Sequence, residues 1–172
     1  MNKKIAIRSL SSEDVLGAAE IRINGWKSAY KGIIDDEYLD SLSIEEKIKN
    51  FEKYVGYDNF VVAIQDGKVV GFCRFTYDNS CSSNIDYVDC EINAIYVHPD
   101  FKGKGIGTEL FQYVLDKLKN QNKSTMILWC LADNINSINF YKHLGGKIQE
   151  TKKATIGNKN YDEVGIVYNI KD

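Results

Sequence analysis

Ile95-Tyr96-Val97-His98-Pro99-Asp100-Phe101-Lys102-Gly103-Lys104-Gly105-Ile106-Gly107-Thr108 is the stretch on which the fold of this chain turns. Its first residues are β-branched or aromatic and close a strand-like run that starts near Tyr87. Pro99, the only proline, ends that strand because it has no N–H to give a ladder. From Lys104 to Leu118 the residues Ile106, Leu110, Phe111, Val114 and Leu118 recur at helical spacing. The glycines Gly103, Gly105 and Gly107 alternate between strand and helix. They free the backbone to turn and put no Cβ between the amides and a ligand. A helix N-terminus adds roughly half a positive charge and unpaired N–H groups, here flanked by Lys102 and Lys104. That is a cradle for a pyrophosphate in physical terms, although glycines alone suit a plain surface turn equally well.

Other phosphate loops fit less well. A Walker loop needs a lysine after its last glycine, and Thr108 follows Gly107 instead. A dinucleotide fingerprint needs its glycines directly after the strand, but His98 to Lys102 intervene; Asp133 keeps an NAD-dependent enzyme as a minor alternative.

Working outward, Ile5–Arg8 reads as a short strand, and Ser11 or Ser12 caps a helix that runs to about Asn24. Trp26 to Tyr30 adds one more helical turn before Gly32. Ser43-Ile44-Glu45-Glu46 is a capping box, opening a helix to about Tyr54. Phe60–Ile64 and Val69–Phe75 flank Asp66-Gly67, a hairpin signal, and Asp78 to Asn84 is a polar loop. After the central helix come a buried-type strand, Met126–Leu131, and a helix capped by Asp133 or Asn134 that stops at Gly145-Gly146. Two closing strands, Lys147–Ile156 and Tyr161–Ile170, turn at Gly157-Asn158. The expected order is β-α-α-β-β-β-α-β-α-β-β, an α/β chain with a mixed sheet in one domain over residues 1–172.

Composition narrows the class. The chain has 172 residues, 44% hydrophobic and 27% charged, which suits one globular domain. Lys and Arg total 22 against 24 Asp and Glu, so no basic excess speaks for nucleic acid as a partner. No apolar run reaches the roughly 20 residues of a membrane span, and the basic start at Met1–Arg8 lacks a signal-peptide core, so a cytoplasmic protein is expected. Cys73, Cys81, Cys90 and Cys130 lack metal-site or redox spacing, and His98 and His143 stand apart from them, so no metal is expected. Cys73, Cys90 and Cys130 read as small buried hydrophobes.

With these residues in view, Ile95 to Leu110 resembles motif A of the GNAT superfamily N-acetyltransferases, [Gln/Arg]-x-x-Gly-x-[Gly/Ala]. Lys102 stands where that motif has Arg or Gln, keeping charge but losing the planar fork. Asn134-Ile135-Asn136-Ser137-Ile138-Asn139-Phe140-Tyr141-Lys142-His143-Leu144-Gly145 resembles motif B, with Gly146 where Phe is frequent. The resemblance spans about Asn59 to Tyr168, and Trp26 to Ile34 looks like one bacterial branch. It implies the GNAT acyl-CoA N-acyltransferase fold, a mostly antiparallel central sheet flanked by helices. It also implies transfer of acetyl from acetyl-CoA to a primary amine of a small molecule or peptide, in a ternary complex and without a metal. Backbone groups of Ile95, Tyr96 and Val97 would then pair with pantetheine, and Lys102, Gly103, Lys104, Gly105, Ile106, Gly107 and Thr108 would hold the pyrophosphate. Asn134 and Ser137 join the cofactor contacts.

Tyr141 would bind the cofactor and donate a proton to its sulfur; its pattern among Ile138 and Leu144 fits a core residue as well. Glu91 is the expected general base, placed by period two with Asn93 on the face of Ile95 and Val97; a solvated strand glutamate is the bland reading. Trp26 and Tyr30, four apart, are either core aromatics or a wall of the amine pocket. Asp35-Asp36-Glu37 and Asp40 either draw a cationic amine or form a solvated acidic face. A non-catalytic acyl-CoA sensor is the alternative from another class, and a homodimer is open.

Overall fold

The computed structural model describes residues 4–171; Met1, Asn2 and Lys3 of the basic start and Asp172 at the end of the expected domain lie outside them. Seven strands among these residues form one sheet in the order β1-β2-β3-β4-β5-β7-β6. They are β1 (Ala6–Ser9), β2 (Phe60–Gln65), β3 (Lys68–Thr76), β4 (Cys90–Val97), β5 (Thr125–Leu131), β6 (Lys147–Ile156) and β7 (Lys159–Asn169). Only the β4–β5 pairing is parallel, because a helix rather than a tight turn connects the two. The helices are α1 (Val15–Ala29), α2 (Asp36–Asp40), α3 (Ile44–Glu52), α4 (Ile106–Asn120) and α5 (Ile135–His143). The fold is therefore the mixed, mostly antiparallel sheet with flanking helices that the sequence led us to expect.

Each face of the sheet buries its own cluster. On one side Ala18, Ala19 and Ile21 of α1 and Phe51 of α3 close over Phe60, Val62 and Phe72. On the other, Ile106, Leu110, Phe111, Val114 and Leu118 of α4 pack with Cys73, Phe75, Cys90 and Ile92. The helical stripe legible in the sequence is thus the buried stripe. No helix of the described residues is long and apolar enough to cross a membrane.

Three local expectations change. α1 continues unbroken to Ala29, and Trp26 in its last turn donates its indole N–H to Tyr96 Oη over 2.8 Å. β4 starts at Cys90 rather than Tyr87. The preceding Asp89 uses its carboxylate to accept the N–H groups of Ser124 and Thr125, tying the loop to the start of β5. The acidic run 35–40 contains α2, and Lys159 Nζ lies 2.8 Å from Asp35 Oδ2, so that carboxylate is already answered.

Candidate active site

The site begins where β4 and β5 part. Their pairing covers Cys90↔Met126, Glu91↔Ile127 and Ile92↔Leu128 and then stops, while β4 stays paired with β3 through Val97↔Gly71. Asn93 is the extra residue of a bulge, since Arg74 opposes Ala94 but Phe75 opposes Ile92. A bulge bends its strand and re-aims side chains. A cavity of about 570 Å³ occupies the resulting gap, walled by Ile95, Tyr96 and Val97 on one side and Leu128, Trp129 and Cys130 on the other.

The glycine loop closes one end. Gly103 and Gly105 have φ of 75° and 83°, and Gly105 caps α4 in the left-handed region. Such dihedrals cost a side-chain-bearing residue about 1–2 kcal/mol. Gly107 serves another need: a Cβ there would stand 3.1 Å from Phe140 Cζ, so its absence lets α4 approach α5. Lys102, Gly103, Gly105, Ile106, Gly107 and Thr108 all line the cavity. Lys104 does not; its Nζ donates to the Asp100 carbonyl at 3.2 Å and lies 4.9 Å from the Phe101 ring centre. The first N–H groups of α4 lack helical partners by geometry, and Ile106, Gly107 and Thr108 line the cavity at this end.

α5 supplies the far wall. Asn134 Oδ1 accepts the Ser137 N–H over 3.3 Å, so Asn134 is a helix cap and, with Ser137, a cavity residue. Tyr141 lines the cavity, and among the described residues its hydroxyl has no hydrogen-bond partner. Its carbonyl accepts from Tyr168 Oη at 2.7 Å, which anchors the helix at that point. Burial pushes the Tyr141 hydroxyl well above the ordinary phenol range, so it stays protonated. Tyr30, the C-cap of α1, lines the cavity, whereas Trp26 stands behind it, edge-on at 5.0 Å between ring centres.

Glu91 is placed differently from the expectation. The bulge at Asn93 reverses side-chain parity along β4, so Ile92, Ile95 and Val97 share one face and Glu91 shares the other with Ala94 and Tyr96. Glu91 is buried and outside the cavity lining, and its Oε2 accepts from Ser82 Oγ at 2.7 Å. Ser82 in turn accepts from Trp129 Nε1 at 2.9 Å. Burial raises the Glu91 carboxyl above its ordinary value; the hydrogen bond from Ser82, the charge of Lys152 and a hydrogen bond with Asn93 offset part of this.

Sequence reasoning missed Asn93, Trp129, Cys130 and Phe140 as cavity residues. The signal for Asn93 was present in part, as a polar residue inside an apolar strand. Cys130 lines the cavity as a thiol whose pKa burial pushes up to about 12, so it stays neutral. Among the described residues no group of three or more His, Cys, Asp or Glu is placed to hold a metal ion.

Residues 26–145 match the model of the acetyltransferase (GNAT) family. The chain is similar to an uncharacterised N-acetyltransferase of Methanocaldococcus jannaschii, 38% identical over 98 residues, which are 56% of this chain and 42% of that protein. The match therefore spans less than half of that relative. It is also similar to a spermidine N(1)-acetyltransferase of Thermoplasma acidophilum, 28% identical over 155 residues, 86% of this chain and 91% of the relative. In fold it matches the PaiA N-acetyltransferase of Thermoplasma acidophilum, solved with coenzyme A, at a TM-score of 0.68 and 24% identity, covering 93% of this chain and 98% of that one. With most of its length inside the family model and its sheet split beside a glycine loop, this chain belongs to the GNAT acetyltransferase family.

Proposed function

We propose that the protein moves an acetyl group from acetyl-CoA to a primary amine by direct attack, with both substrates bound together. The observation that carries this reading is the gap between β4 and β5, which has the glycine loop at one end and Tyr141 in its wall. The cavity fits a long ligand with an anionic end: the α4 N-terminus and the glycines suit a diphosphate, and the free edge of Ile95–Val97 suits an amide-bearing arm laid beside it like an added strand. When bound, acetyl-CoA supplies an acetyl group activated as a thioester.

The chain's own residues then hold the geometry and the protons. Tyr141 keeps a hydroxyl proton in the cavity for the departing sulfur. Glu91, behind Asn93, takes the amine's proton through water, and its raised pKa brings it nearer to the neutral range where a base works best. A small amine as acceptor is supported by the spermidine N(1)-acetyltransferase among the relatives.

Calorimetric titration with acetyl-CoA, then with NAD, tests the reading. Saturable micromolar binding of acetyl-CoA but not NAD is expected, followed by free-thiol release when amines are supplied. Absence of acetyl-CoA binding refutes it; binding without thiol release on any amine leaves a sensor module instead.

A further inference from the structure

Near the cavity wall, though outside its lining, stand three cations, Arg22, Arg74 and Lys47, with no carboxylate within 4 Å among the described residues. On α1, the Arg22 guanidinium carbon lies 3.9 Å from the Trp26 ring centre and 5.4 Å from that of Tyr96, a cavity residue. The ionisable groups facing Arg22 include the hydroxyls of Tyr96, Tyr30 and Tyr38 and the ammonium of Lys47. On β3, the Arg74 guanidinium lies 4.5 Å from the Tyr54 ring centre, and its Nε is buried without a hydrogen-bond partner. Burial lowers the pKa of Lys47 on α3, and the charges of Arg22 and Arg74 lower it further, while the neighbouring Glu46 carboxylate offsets part of this. Among the described residues, none of these three cations forms an ion pair with Asp or Glu. Stacking on aromatic rings offsets part of their desolvation, but a cluster of like charges is stabilised far more by an anion.

A second observation is independent of the charges. Asn93 Oδ1 is buried without a partner, and Asn93 lines the cavity. Arg74 opposes Ala94, the next residue, so two orphaned polar atoms of opposite sense belong to neighbouring positions at the bulge. Asn93 Oδ1 needs a donor and Arg74 Nε needs an acceptor.

We propose that the acceptor is an amino acid or close analogue, a small amine with a carboxylate a few carbon atoms away. Its amine N–H is received by Asn93 Oδ1 and its carboxylate by Arg22 and Arg74, with Lys47 adding longer-range attraction. This rests on the acetyl-transfer reading above and narrows its acceptor. In the reaction the amine nitrogen bonds to the thioester carbonyl carbon as the C–S bond breaks. Of the two protons the ammonium loses, one ends on the departing thiol and the other passes to solvent through the base. The carboxylate is unchanged.

The test measures thiol release with each of the twenty common amino acids, the primary amide of every active one, and spermidine. At least one amino acid should exceed its own amide in kcat/KM by about tenfold or more, the scale of one hydrogen bond to a charge. Arg22→Gln and Arg74→Gln should each raise KM for that acid by a similar factor. The same variants should leave KM for the amide and the calorimetric affinity for acetyl-CoA within about twofold, and Arg74→Lys should restore part of the loss. Equal use of acid and amide by the unmodified protein, or preference for spermidine, overturns the proposal without any variant having to fold. Loss of acid and amide activity together in both glutamine variants also overturns it. Acetyl transfer without acid preference refutes this inference alone, whereas absence of acetyl-CoA binding refutes the transfer reading and this one with it.

Discussion

Tyr141 is the residue whose chemistry is most exposed to test. Tyr141 lines the cavity, its hydroxyl has no hydrogen-bond partner among the described residues, and burial keeps it protonated. Tyr141→Phe should lower kcat by about 10²-fold, the low end of general-acid contributions, with little change in acetyl-CoA affinity. Because burial pushes this hydroxyl well above 10, the wild-type pH–rate profile should show no fall below about pH 10 from its ionisation. A Tyr141→Phe enzyme with wild-type kcat removes the donor role. Glu91 makes a different statement, about stability. Its pKa is raised above the ordinary 4.5, so the folded protein holds this proton more tightly than the unfolded chain. Its contribution is therefore complete below about pH 4.5 and is lost as pH rises through the folded value. Glu91→Gln should melt higher than wild type at pH 8, and the gain should vanish near pH 4; thermal melts at both pH values check it. In activity, the same change should cut the rate mainly at lower pH, where a base is needed most. Tyr141 was placed on its helix by spacing, but its chemical reading came only from the resemblance of Asn134–Gly145 to motif B. Asn93 was not, because its importance comes from a bulge that no spacing announces.

At the scale of elements, the glycine loop and the bulged strand decide the site. Gly105 caps α4 at φ 83°, with open space where a Cβ would point. Gly105→Ala thus meets no clash and isolates backbone strain. It should cost about 1–2 kcal/mol, lowering Tm by roughly 2–8 °C, and weaken acetyl-CoA binding as the loop relaxes. Unchanged affinity in calorimetry argues against the loop as the anion cradle. The loop was readable from sequence because proline, glycine and helical periodicity are local signals. β4 was readable as a strand but not in its parity. Counting by twos places Glu91 beside Ile95; one extra residue at Asn93 moves it to the opposite face. The start of β4 was misplaced for a related reason, since the Asp89 carboxylate accepts from the backbone of Ser124 and Thr125, contacts 35 and 36 residues away.

For the molecule as a whole, the sheet is a floor between two packed layers, and the site depends on both. Phe72 sits in the layer on the α1 side: it is fully buried, 5.3 Å from Phe60 and 5.4 Å from Tyr96 between ring centres. Phe72→Ala should cost about 3–5 kcal/mol in urea unfolding at constant m-value and, by loosening Tyr96, disturb the cavity wall. A loss below about 1 kcal/mol would mean that the layer repacks freely. By itself the sequence determined the order of elements apart from α2, the amphipathic face of α4, the glycine-rich turn before it and the position of Tyr141 on α5. Each of these rests on local chemistry: periodicity, capping, and the dihedral freedom of glycine. Only the tertiary structure decided where β4 leaves β5, which face Glu91 takes, that Lys104 lies outside the cavity lining, and that Arg22 and Arg74 form no ion pair among the described residues. Those outcomes depend on contacts between residues far apart in the chain, whose free energies no local pattern encodes.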